Sequence, residues 1–493
     1  MLERTVVAID LGTSAARAVL FDYAARPLRV VRQPYPLLAP RPSWSEQEPE
    51  AIVTAVIQCL REIAGQVPRK DEIACVTFSS QMYSILAVDQ AGRAVTNSIT
   101  WNDRRGAEIA EGLRAHEEFR ELVAATGCPI SEIFPLYKIL WLKQHLGGYA
   151  GLRFVSIKDY VIARLTGQFL ADWSTASASG LLRIGTKEWD PDVLAFAGLE
   201  RHANLSELAS PRHIIEHWGS PGADLGILPG TPLVLGGGDG PLASLGIGAV
   251  QPGSIAVNVG TSAALRVTVD APALDPAGKL WTFVADEGLW VTGGITGGGI
   301  VYDWLVRTYF QHMEGLASGQ IYQYVDELVQ SVAPGADGLL FIPYLSGQQS
   351  PDWDAKQRGG FIGLRVEHGV AHFARAVLEG LAFSLYRIAD AVGADVRHSA
   401  GRIYMSGGIT HSEVWLQLAA DVFGCDVFAL ENTEGSAKGS MLLGLLALGL
   451  ITQPRELAAP DTEYKVFTPN ETNHMAYQGI FRHFEDTLHR LYH

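Results

Sequence analysis

The sequence predicts an α/β protein made of two copies of one domain, and three observations lead there. Strand-like apolar runs alternate with helical spacing along the chain. The turn Asp10-Leu11-Gly12-Thr13-Ser14 recurs as Asn258-Val259-Gly260-Thr261-Ser262. The length of 493 residues also exceeds what one hydrophobic core usually organises. The two turns lie about half the chain apart, and each follows one apolar run and precedes another (6–9 and 18–21; 255–257 and 264–269), so the context repeats with the motif. A duplication with its boundary near Ala249 accounts for all of this and gives domains 1–248 and 249–493.

The elements follow in order. Residues 5–10 and 16–22, joined through Gly-Thr-Ser, read as a β-hairpin. Ser45 with Glu48 three residues on reads as a capping box, and the apolar spacing over 52–63 has a helical period. Residues 73–78 read as a strand, and 233–235, 402–405 and 427–430 each as a strand that precedes a helix. Helices packed on sheets are the expected class. The net charge of −15 favours solubility and repels nucleic acid. Cys59, Cys75, Cys128 and Cys425 form no C-x-x-C pair and no His/Cys metal spacing, as expected of buried reduced thiols. The first residues carry an acidic side chain and too short an apolar run for a signal peptide, and no uncharged run is long enough to span a bilayer. The cytoplasm is the expected location.

The repeated turn points to phosphate chemistry. Glycine lets the backbone approach an anion, while Thr and Ser hydroxyls and turn N–H groups donate to its oxygens. In the first copy, Thr13 and Ser14 offer hydroxyls, Asp10 is placed to hold a hydrated Mg²⁺, and Arg17 is a further phosphate candidate. The second copy offers Gly260 and Thr261 but has Asn258 in place of the Asp. Either copy by itself reads sooner as an ordinary hairpin turn; together they favour phosphates held from two sides. Neither a G-x-x-x-x-G-K-[ST] loop nor a strand-anchored G-x-G-x-x-G is present. In Leu235-Gly236-Gly237-Gly238-Asp239-Gly240 a strand runs into a glycine turn that presents one carboxylate before a helix beginning near Pro241. Phosphoryl transfer needs alignment, charge neutralisation and a group that accepts the attacking hydroxyl's proton, and Asp239 fits that last role. An Asp that merely caps the following helix would look the same.

These residues resemble the FGGY carbohydrate kinases, a branch of the actin, hexokinase and Hsp70 superfamily built on duplicated RNase-H-like domains with a cleft between them. The likeness runs through DLGTSAAR at 10–17, WSEQEP at 44–49, SQMYS at 80–84, TWNDRR at 100–105 and KDYVIARLTG at 158–167. It continues through GGGDG at 236–240, NVGTS at 258–262, RGGFIGL at 358–364, and Ser406-Gly407-Gly408 followed by Ser412 and Trp415. It implies ATP as phosphoryl donor, Mg²⁺, and a small sugar or sugar acid as acceptor. It also implies Asp239 as base, the turns at Thr13, Ser14, Arg17, Gly260 and Thr261 for phosphate, and Gly407, Gly408 and Ser412 beside the adenosine. Gln81, Met82, Tyr83, Trp101, Asn102 and Asp103 fall on the sugar side, with polar groups for hydroxyls and rings for a C–H face. Within the family the chain looks most like the gluconate kinases and next like the xylulokinases. One departure is Tyr83, where those sequences usually carry a histidine; a phenol has a different reach and hydrogen bonding. A sugar acid would call for a cation, for which Arg104 and Lys158 are candidates, each also readable as a solvated charge.

Other conspicuous residues take blander readings. Trp141, Trp304 and Trp415 follow helical apolar spacing and read as core, and His368, His372 and His411 have no metal spacing. Gly293-Gly294 and Gly297-Gly298-Gly299 either bracket a turn near the nucleotide or allow close packing. Two other functions stay open: a chaperone-like ATPase, which would need no sugar pocket, and a sugar-binding regulator without turnover. The expected partner is a small molecule, not nucleic acid or a membrane, with a homodimer left open.

Overall fold

The computed structural model describes residues 4–492 apart from 68, 70–71, 217, 219–224, 311–317, 394–401, 431–433 and 458–463. The chain forms two compact units. The first comprises Met1–Val250, Val269–Val291 and Glu434–Ala458; the second comprises Gln251–Thr268, Thr292–Thr433 and Ala459–His493.

The first unit is built on the strands β1 (Thr5–Leu11), β2 (Ala15–Asp22), β3 (Pro27–Pro34), β4 (Ile73–Ser80), β5 (Ile214–Ile215) and β6 (Leu233–Gly238), in the order β5-β6-β4-β1-β2-β3. β1 and β2 are the predicted hairpin, while β4 runs parallel to both β1 and β6. All seven residues of β1 are buried because both faces of the sheet are covered. Alternation sends Val7, Ile9 and Leu11 toward Ile52, Val56 and Leu60 of helix α1 (Pro49–Gly65). Val6 and Ala8 point the other way, toward Leu242 and Leu245 of helix α2 (Asp239–Gly246) and toward Met441 and Leu442 of the helix Gly435–Ala447. Each such side chain contributes roughly 1.5–3 kcal/mol when fully buried.

The second unit repeats the plan. Strands β7 (Ile255–Val259) and β8 (Ser262–Val269) form an antiparallel hairpin. β9 (Arg402–Gly407) lies parallel to β7, β10 (Asp426–Ala429) parallel to β9, and β11 (Lys465–Phe467) antiparallel to β10. The order β8-β7-β9-β10-β11 therefore mirrors β2-β1-β4-β6-β5 of the first unit. Helix α3 (Gly299–Tyr309), the long α4 (Val370–Val392) and α5 (Glu413–Phe423) belong to this unit.

Some local expectations are corrected. The α1 N-cap is Glu48, without a side-chain cap, and Pro49 opens the helix; Ser45 instead donates its amide to Asp103 and accepts from the Thr100 hydroxyl. Pro49 already fixes a helical φ and has no N–H to satisfy, so the chain needs no capping box there. The helix after the glycine turn begins at Asp239, two residues before Pro241. Trp415 is buried, whereas Trp141 and Trp304 are only half-buried, stacked on His145 and Phe341. Among the described residues no helix is long and apolar enough to cross a membrane.

Candidate active site

In the first unit the carboxyl ends of three neighbouring parallel strands carry the predicted residues. Leu11 pairs with Ser80, and Ser80 with Gly238, so Asp10, Gln81 and Asp239 emerge at one edge of the sheet. Open α/β sheets bind ligands at that edge. The glycines before Asp239 are there for space. At Gly236 φ is +66°, and a Cβ would lie 1.7 Å from the Phe78 carbonyl oxygen; at Gly238 it would meet Met82 Cγ at 2.8 Å. The Gly238 amide donates to Ser174 Oγ (3.2 Å), and the Gly240 amide donates to Asp239 Oδ1 (2.7 Å). Helix α2 is locked in turn: a Cβ on Gly246 would strike the Gly435 carbonyl oxygen at 1.9 Å, and one on Gly439 would strike that of Leu242 at 1.9 Å.

Around the first turn lies a charged cluster. Arg17 reaches back along the hairpin to the Asp10 carboxylate, through Nε at 3.1 Å and a closer Nη2 contact, and its Nη1 pairs with Glu434 at 3.1 Å. Ser436 Oγ donates to Asp10 Oδ1 at 3.2 Å. Burial alone would lower the Arg17 pKa, but the carboxylates of Asp10, Glu434 and Asp239 outweigh it and raise it. A permanent cation thus lies within the field of both Asp10 and Asp239, as suits a transferring phosphate. Ser14 is exposed, but Thr13 turns toward the sugar-side residues, donating to Gln81 Oε1 (3.3 Å) and accepting from Trp101 Nε1 (3.1 Å). Gln47 completes this network, donating to the Thr13 carbonyl at 2.7 Å and accepting from Gln81 Nε2 at 2.7 Å.

The remaining sugar-side candidates divide. Met82 packs on Gly238, and Tyr83, in the left-handed region at φ +65°, is edge-on to Phe134 and Phe283 at 5.5 and 6.0 Å. Trp101 is half-buried and Asn102 exposed. Asp103 is buried, and its two oxygens accept from Arg105 Nε (2.8 Å), Arg105 Nη2 (2.7 Å) and the Ser45 amide (2.7 Å). Its carboxylate is therefore engaged within the protein and holds the loop that carries Trp101. Lys158, a candidate for a substrate carboxylate, lies in the interior: it is ion-paired with Asp172 and donates to the Leu235 carbonyl at 3.1 Å, bracing the strand that ends in Asp239. Arg104 is exposed, with no side-chain partner among the described residues.

The second unit holds a cavity of about 770 Å³. It brings Gly260 and Thr261 together with Gly408 and Ser412, which are nearly 150 residues away in sequence, and with Gly299 and Asp326. This size fits a drug-sized or nucleoside-sized ligand. Gly407 lies just behind the wall at φ +97°, where a Cβ would come within 2.4 Å of the Val259 carbonyl oxygen. The Gly299 amide donates to the Gly260 carbonyl at 2.7 Å, and a Cβ on Gly293 would strike the Leu265 carbonyl oxygen at 2.0 Å. The glycine run thus serves both the cavity wall and close packing. Ser412 caps α5 by accepting from the Trp415 amide and donates to Asp326 Oδ1 at 2.8 Å. Burial raises the Asp326 pKa, against hydrogen bonds from Ser412 and Tyr302 that lower it.

Sequence reasoning missed Gln47, Glu434, Ser436, Tyr302 and Asp326 as neighbours of these residues. Gln47 falls within the quoted 44–49 segment; the others carry no motif of their own and are recruited by the fold.

Two family models cover nearly all of the chain: the N-terminal domain of the FGGY family of carbohydrate kinases over residues 5–246, and its C-terminal domain over 255–448. Gluconokinase from Bacillus subtilis (strain 168) is 36% identical over 458 residues, covering 90% of this chain and 88% of the relative. Xylulose kinase from the same organism is 30% identical, covering 97% and 95%. A solved gluconate kinase from Lactobacillus acidophilus has a TM-score of 0.92 at 30% identity, covering 99% of this chain and 98% of its own. With duplicated sheets, an acid at a strand end beside a Gly-Thr-Ser turn and a nucleoside-sized cavity, the chain belongs to the FGGY family of carbohydrate kinases and is an ATP-dependent kinase of a sugar or sugar acid.

Proposed function

We propose that the acceptor is D-gluconate and the product 6-phosphogluconate, with MgATP as donor. The observation that carries this choice is the higher identity to gluconokinase than to xylulose kinase of the same bacterium. Arg104 supports it as an exposed cation beside the Trp101 loop, suited to an acid group. Asp239 takes the proton of the attacking hydroxyl as its oxygen bonds to the γ-phosphorus and the bond to the ADP oxygen breaks. Gln81, Met82, Tyr83, Trp101 and Asn102 contact the sugar, while Asp103 and Lys158 support that surface from behind. Arg17, Ser14 and the Gly12–Thr13 backbone take phosphate, and Asp10, whose oxygens already accept from Arg17 and Ser436, would hold the nucleotide's Mg²⁺ through water. Gly260, Thr261, Gly407, Gly408 and Ser412 serve the nucleotide. The unit that carries Asp239, with Val269–Val291 and Glu434–Ala458 returning to it, is thus the sugar and base domain, the other unit is the nucleotide domain, and cysteines outside any disulfide suit a cytoplasmic enzyme.

The test is ADP release by purified protein with gluconate, xylulose, ribulose, glycerol, fuculose and rhamnulose at matched concentrations. Gluconate is expected to give the highest kcat/KM. An inert gluconate beside an active ketopentose would replace this reading with the xylulose one, which Tyr83 in place of the usual histidine keeps in play.

A further inference from the structure

Among the side chains the chemistry above leaves unused, Lys138 stands out. It lies on the helix Pro135–Leu146, fully buried, and its ammonium donates to three backbone carbonyls: Tyr83 at 2.9 Å, Thr100 at 2.9 Å and Ile133 at 2.8 Å. Two of these belong to the two sugar-side segments, one in the left-handed residue that ends 81–83 and the other immediately before Trp101. A lysine ammonium has three protons, so each carbonyl takes one. Among the described residues no salt bridge to a carboxylate accompanies these bonds. A buried cation that served stability alone would be better replaced by an apolar side chain.

We propose that Lys138 is a positioning residue that fixes the 81–83 and 100–103 segments relative to each other, and so sets the affinity for the sugar without touching it. Tyr83 at φ +65° is strained backbone for a non-glycine residue and persists only where its surroundings hold it. The Lys138 bond to its carbonyl supplies that hold, and the bond to Thr100 ties the Trp101 loop to the same atom. The inference rests on the sugar-kinase reading of these segments, but not on gluconate.

The protonation state supplies a second handle. Burial pushes the Lys138 pKa down to about 7; Asp103 and Glu132 act to raise it, and Arg105 acts with the burial. A neutral amine has only two N–H groups, so above that pH one of the three carbonyls loses its donor. Sugar affinity should therefore fall as pH rises through about 7. Stability moves the other way. A lysine whose folded pKa is depressed contributes stability that is complete above its unfolded value and lost as pH falls toward the folded one, so between about 7 and 10.5 the fold gains stability with pH.

The experiment uses whichever sugar of the panel the wild type phosphorylates, so an inert gluconate would overturn the proposed substrate and leave this test intact. Lys138→Met keeps the length and removes the donors; KM for the sugar is expected to rise at least about tenfold, with kcat within about threefold and KM for ATP within about twofold. In the wild type, the calorimetric Kd for the sugar should weaken between pH 6 and 8.5 while the thermal midpoint does not fall in step. A folded Lys138→Met with unchanged sugar KM overturns the proposal. If that variant does not fold, a sugar Kd that stays flat across the pH range, or weakens only as the fold itself weakens, overturns it.

Discussion

Asp239 owes its position to its immediate neighbours. Ser174 Oγ accepts from the Gly238 amide before it, the Gly240 amide donates to the Asp239 carboxylate, and the Lys158–Asp172 pair braces the strand that delivers it. Arg17 lies close enough to feel the Asp239 charge but bonds to Asp10 instead, which leaves Asp239 half-buried at the strand edge. A base needs that combination of fixed direction and access. Asp239→Asn keeps the shape and removes the proton acceptor. We expect kcat to fall at least about a hundredfold while binding of sugar and of an ATP analogue stays within a few-fold. Comparable turnover in the variant would show that another group takes the proton. The carboxylate and its glycine approach were legible in the sequence, but the expected glycine turn is in fact the end of β6, which runs on to Gly238 directly before α2. The alternative of a simple helix cap was legible too, but in the structure Gly238 is the N-cap of α2 and Asp239 its first residue. Position 103 shows the limit of such reading. Its acid looked available for hydroxyls, but Arg105 and the Ser45 amide occupy both oxygens, and nothing in the spacing announces a partner 58 residues earlier in the chain.

At the scale of elements, the parallel strands β1, β4 and β6 do most of the organising. Their register places Leu11, Ser80 and Gly238 side by side, so a turn, a loop and a helix start share one edge. Gly236 is where this arrangement is least tolerant. Its φ of +66° and the Phe78 carbonyl oxygen 1.7 Å from a would-be Cβ exclude any side chain unless β6 moves away from β4. Gly236→Ala should cost at least about 2 kcal/mol in a denaturant titration and lower kcat beyond what the stability loss explains, because Asp239 lies three residues on. A variant with wild-type stability and turnover would mean that the strand end is looser than drawn. The strands were readable because β-branched and apolar runs of the right length stand between glycine-rich turns. The start of α1 was misread because Ser45 and Glu48 have capping-box spacing while Pro49 sets the actual start. The cavity of the second unit was half legible: Gly260, Thr261, Gly408 and Ser412 carry recognisable turns, but Tyr302 and Asp326 sit on helical stretches whose pattern records only their packing.

At the scale of the whole molecule, the duplication was legible because each copy of the turn carries its flanking strands, and the mirrored strand orders bear out two related sheets. The sequence did not reveal that Val269–Val291 and Glu434–Ala458 belong with the first unit, since such returns are set by packing at long range. That division has a consequence for binding. On the proposed reading the sugar is bound by residues of one unit and the nucleotide by the cavity of the other, yet transfer requires the hydroxyl oxygen and the γ-phosphorus to come within about 3–3.5 Å. Each ligand must therefore favour the same state of the protein that the other favours, and such coupling is reciprocal. The sugar should tighten binding of a non-hydrolysable ATP analogue about fivefold or more, and the analogue should tighten sugar binding by the same factor. Calorimetry in both orders of addition measures the two sides of that cycle. The same coupling protects ATP: water can also reach a base such as Asp239, so ATP hydrolysis without sugar is expected to run at least about a hundredfold slower than transfer. Independent binding of the two ligands, or sugar-free hydrolysis at a comparable rate, would show that the two units act without reference to each other's ligand and would reopen the reading of this chain as a plain ATPase.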